Sequence, residues 1–109
     1  MMTHVKMIHW ALGVEEKNLE EAERYAEKAH EFREEHKAAA DWCVEMARKH
    51  IEFNEKGNSV LTQLCREMEP HMAGNSLHEP MKTAVTEKRG HLAREAARIR
   101  MMLEMYDRG

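Results

Sequence analysis

The feature that most constrains this chain is an apolar stripe at heptad spacing that runs from Val5 to Met68 with few lapses. When positions 8, 15, 22, 29, 36, 43, 50, 57 and 64 share one heptad site, the adjacent sites collect Ala11, Tyr25, Phe32, Ala39, Met46, Phe53 and Val60. Val5, Leu12, Leu19, Ala26, Ala40, Ala47, Leu61 and Met68 fall beside them. The lapses are Glu15, Asn18, Arg33 and Asn54. Side chains at this period lie along one face of a helix, whereas a strand would need strict alternation, so the pattern predicts amphipathic helix and excludes a sheet.

A second stripe, Val85, Leu92, Ile99 and Tyr106 with Ala96 and Leu103 on its flanks, predicts a helix over 77–107. Ser76 and Glu79 form a capping-box pattern ahead of it, and Pro80 falls within the first turn, where a missing amide hydrogen costs little. The segment 69–76 (EPHMAGNS) reads as a loop.

Breaks within the first 70 residues are less strongly marked. Gly57-Asn58 reads as a helix stop followed by a new N-cap, and nothing between Val14 and Lys56 is Gly or Pro. Two architectures follow. In one, the chain turns near His36-Lys37 and gives helices over 3–35, 38–70 and 77–107, each about 48 Å long, with Gly57 tolerated as a bend. In the other, one helix of about 64 Å runs from 14 to 56 and overhangs its neighbours, which calls for a dimer. The matched lengths in the first favour it. The expected fold is therefore all-α, an antiparallel bundle of three long helices, or four if the chain breaks near Gly57.

The chain has 109 residues, enough to bury a core as one domain over 1–109 without staples. Its two cysteines, Cys43 and Cys65, occupy apolar helical positions and are expected to be free thiols in a reducing cytoplasm. No uncharged run approaches the roughly 18 residues of a membrane span, and the first residues make a poor signal peptide. The chain is thus read as cytoplasmic, with no membrane partner.

Net charge is −3, which argues against nucleic-acid binding, since phosphate neutralisation needs a concentrated excess of Lys and Arg. The charge is unevenly spread. Nine glutamates between Glu15 and Glu35 face four basic residues, while seven basic residues between Lys82 and Arg108 face four acids. This predicts two helices side by side with complementary rims, or a charged face that docks a partner.

For metal chemistry the candidates are His36, Cys43 and His50, seven residues apart. Seven helical residues span about 10.5 Å, so the three cannot chelate one zinc ion, whose donors lie about 2.0–2.3 Å from a common centre. A site would need ligands from a second helix or chain. The plainer reading is that they are seam residues, with at least one of His36 and His50 buried and neutral. Glu27-Lys-Ala-His30 is a lone Glu-x-x-His where a di-iron bundle needs two. Glu87, His91 and Glu95 share an outward helical face with Arg94 and Arg98 and read as a solvated ladder. Methionine and histidine near the ends of the stripe (Met1, Met2, His4, Met7, His9; Met68, His71, Met72) would suit copper(I), but methionine at helical spacing is ordinarily core filler.

No nucleophile elbow, phosphate-cradling glycine loop or Cys-x-x-Cys occurs. The expectation is a non-enzymatic protein-interaction or accessory module without a cofactor, acting through a protein partner or through self-association, a homodimer included. Trp10 and Trp42 fall beside the stripe and are the candidate interaction residues. The alternative is a transition-metal-binding bundle for storage or sensing.

Overall fold

The computed structural model describes residues 2–72, 74 and 78–109. They form three helices: α1, Met2–Phe32; α2, Lys37–Met72; and α3, His78–Arg108. Among the described residues there is no strand. The chain turns at residues 33–36, so the three-rod architecture is the one adopted and the continuous 14–56 helix is not.

The turn closes without a glycine or proline. His36 N–H donates to the Phe32 carbonyl at 2.8 Å, and the His36 carbonyl accepts the Ala40 N–H at 2.9 Å, which ends α1 and starts α2 around one exposed residue. Folding back is favoured because it lays Ala22, Ala26 and Ala29 of α1 in the same fully buried seam as Ala40 and Ala47 of α2, next to Cys43. Such small side chains let two backbones approach closely, and in a continuous rod they would face water.

Two boundaries differ from expectation. α2 passes uninterrupted through Gly57, so the break that would have made a fourth helix does not occur there. It also continues through 69–72, which the sequence placed in a loop. Pro70 lies in the final turn, where it removes one helical bond, while Met68 is buried against the core and anchors that turn. In the link that follows, Gly74 has φ +85°, a left-handed conformation that glycine adopts without steric cost. Ser76, and with it the expected capping box, lies outside the described residues.

α1 packs along its whole length on α2, while α3 lies mainly on α1 and meets α2 along a thinner seam. α3 contributes Val85, Leu92, Ala96, Ile99, Leu103 and Tyr106 to the core. Its basic rim pairs with the acids of α1, as the charge split predicts: Lys88 with Glu16, and Arg98 with Glu23 at 2.7 Å. Towards α2 it adds Arg100–Glu55 at 2.9 Å, Lys82–Glu69 at 3.3 Å and Asp107–Arg48. These pairs are exposed or half-exposed, so each contributes little to stability and serves mainly to fix α3 in register. The resulting rod is 59 Å long and 19 by 15 Å across. None of its helices, among the described residues, is long and apolar enough to cross a membrane.

Candidate interaction surface

α3 covers one side of the α1–α2 pair and leaves the other side open. From the open side of α1 project Met7, Trp10, Val14, Asn18 and Tyr25, at three-, four- and seven-residue steps that keep them in one row. From α2 project Trp42, Met46, His50, Phe53 and Val60. Trp10 is 71% exposed, Phe53 49% and Val60 53%, although all three are large apolar side chains. Together with Val14 they wall a groove of about 440 Å³, whose rim also includes Lys56 and Asn18.

Beneath the groove the two central lapses in the stripe meet each other. Glu15 and Asn54 are each 1% exposed, and Asn54 Nδ2 donates to Glu15 Oε2 at 2.6 Å. Gly57 sits against the same carboxyl: a Cβ at that position would overlap Glu15 Oε1. Glycine here gives room to the Glu15 carboxyl, which a larger residue would have to displace, and does not mark a bend in the helix. Burial pushes the Glu15 carboxyl up to about 7, against a smaller opposing effect of the Arg89 guanidinium on α3. Arg89 itself donates to Thr62 Oγ1 at 2.8 Å, which ties α3 to the same level of the bundle.

A third lapse is also matched across the seam. His50 Nδ1–H donates to Asn18 Oδ1 at 3.2 Å, and its ring stacks on Tyr25 with centroids 5.9 Å apart. Phe53 meets that imidazole edge-on, and Trp42 meets Tyr25 in the same way. A Trp42–Tyr25–His50–Phe53 ladder thus extends the apolar face towards the α1–α2 turn.

The sequence-level candidates are distributed unevenly. Trp10 and Trp42 both lie on the open face, Trp10 in the groove and Trp42, 56% exposed, at the far end of the aromatic ladder. His36, Cys43 and His50 are not brought together: His36 is exposed in the turn, Cys43 is buried in the α1–α2 seam and His50 is half-buried in the ladder. The expectation that His36 or His50 is buried is not met, because the turn removes His36 from the seam and the open face leaves one side of His50 uncovered. Among the described residues no three His, Cys, Asp or Glu side chains are grouped so as to hold a metal ion. His30 instead donates to the Met102 carbonyl at 3.0 Å, and Glu95 pairs with Arg98 at 2.7 Å.

Sequence reasoning missed Phe53, Val60 and Val14 as surface residues because it placed the first two within the core stripe. The stripe is wider than one partner helix can cover, and this excess width was the available signal. No family model, curated protein or solved structure matches the chain.

Proposed function

We propose that this chain is a non-enzymatic interaction module that engages a protein partner through the open α1–α2 face. The observation that carries the reading is the contiguous exposure of Trp10, Val14, Phe53 and Val60 around one groove. Scattered apolar side chains are ordinary on a protein surface, but a continuous patch centred on a tryptophan is characteristic of binding sites.

The test compares wild type with the double variant Trp10→Ala/Trp42→Ala as baits, after circular dichroism has established equal helicity. Partners held by wild type and absent from the variant are expected. An identical set of captured proteins on both baits would overturn the reading. For the metal-binding reading no observation speaks, since its candidate ligands lie in three separate environments.

A further inference from the structure

The apolar groove is bordered by cations that form no ion pair among the described residues. Lys6 lies one turn before Trp10, Lys17 follows Val14 by three residues, and Lys56 lines the groove itself. All three are exposed, and among the described residues none has an ion pair. Of the nearby carboxylates, Glu21 pairs with Arg24 at 2.9 Å, Glu52 pairs with Lys49 at 3.8 Å and Glu15 lies beneath the floor with Asn54, while exposed Glu20 follows Lys17 by three residues. On a chain of net charge −3, the one exposed charged residue lining the groove is thus a cation, Lys56.

We infer that the groove's occupant is an amphipathic helix of a partner protein, with an apolar seam flanked by Asp or Glu. The inference rests on the docking reading above and adds the chemistry of the partner. Shape points to a helix, because Trp10 and Val14 on α1, facing Phe53 and Val60 on α2, leave between two antiparallel helices the kind of furrow into which the side-chain ridge of a third helix packs. Charge selects the acidic class. Lys6, Lys17 and Lys56 would each gain a carboxylate from such a partner, whereas a second copy of this chain, docked by the same face, would bring three more lysines into the same contact. A flat anionic bilayer could satisfy the lysines but would leave the furrow unfilled.

The test uses two synthetic helical peptides with the same leucine seam, one flanked by Glu and one by Lys, together with vesicles of anionic phosphatidylglycerol. Binding is read by isothermal titration calorimetry, which needs no reporter residue in the groove. The Glu-flanked peptide is expected to bind at least tenfold more tightly than the Lys-flanked one, to weaken as salt rises, and to lose that preference in Lys6→Glu/Lys17→Glu/Lys56→Glu. These three positions are exposed, so the variant should keep its fold, and circular dichroism checks this. Equal binding of both peptides, lost in Trp10→Ala, would leave the docking face standing and overturn its acidic selectivity. Peptide binding unaffected by Trp10→Ala would overturn both. Binding to vesicles alone, or a wild-type dimer broken by Trp10→Ala, would replace the acidic helix with a membrane or a second copy.

Discussion

At the scale of single residues, the decisive group is Glu15. An unfolded glutamate loses its proton near 4.5, while the buried Glu15 holds its proton to about 7. Between those values the folded state carries the extra proton, so this group's contribution to stability falls as pH rises, by about 3 kcal/mol in all, and is flat below and above the window. Glu15→Gln keeps the side chain's shape without the charge, and its amide can donate to Asn54 Oδ1, a buried atom that has no partner among the described residues. Urea unfolding at pH 5 and pH 8 should show a smaller loss in Glu15→Gln than in wild type; equal losses would mean that Glu15 does not titrate in this window. Gly57 is coupled to the same carboxyl. Alanine ordinarily favours a helix interior by about 1 kcal/mol over glycine, yet Gly57→Ala should destabilise wild type because its methyl displaces Glu15. In a Glu15→Ala background the same substitution should stabilise by about 1 kcal/mol, a sign reversal that a double-mutant cycle measures.

At the scale of elements, the three helices are not held alike. α1 and α2 join through fully buried alanines, so enlarging one of them forces the backbones apart. Ala26→Leu should cost roughly 1–3 kcal/mol or more, seen as a lowered melting temperature, whereas the same change at exposed Ala97 should cost little. α3 is attached by a sparser apolar row and by exposed ion pairs of small individual worth. Hydrogen exchange should therefore find α3 amides opening at lower free energy than those of α1 and α2. Ile99→Ala, at the centre of that row, should widen the gap. Uniform protection across the three helices would contradict this hierarchy. The helices themselves were legible from residues such as Leu92, Ile99 and Tyr106, because heptad spacing is a local property. The extension of α2 through Pro70 was not, since it depends on Met68 finding a distant core.

For the whole molecule, shape is the quantity to check. The radius of gyration is 17.1 Å, against about 13 Å for a compact globule of this length. Small-angle scattering of a monomeric solution should return a value near the larger figure, and a clearly larger one would indicate assembly. The elongated form gives the open α1–α2 face its length, since Trp10 and Trp42 lie far apart along one continuous surface instead of on a single knob.

The sequence by itself determined that the chain is helical, that its apolar residues form one long seam and a shorter one, and that acidic α1 and basic α3 carry complementary rims. These follow from periodicity and charge, which act within a few residues. Only the tertiary structure decided that the chain turns at His36, where no breaker marks it, because the stabilisation comes from alanines that meet after the turn. The same folding joined Glu15 to Asn54 and Asn18 to His50, so that apparent flaws in the stripe became matched pairs equidistant from the turn. It also decided which side of the pair α3 covers. The stripe told that Phe53 and Val60 are apolar; their exposure depends on there being one helix to cover two sides, and that is a property of the assembled bundle.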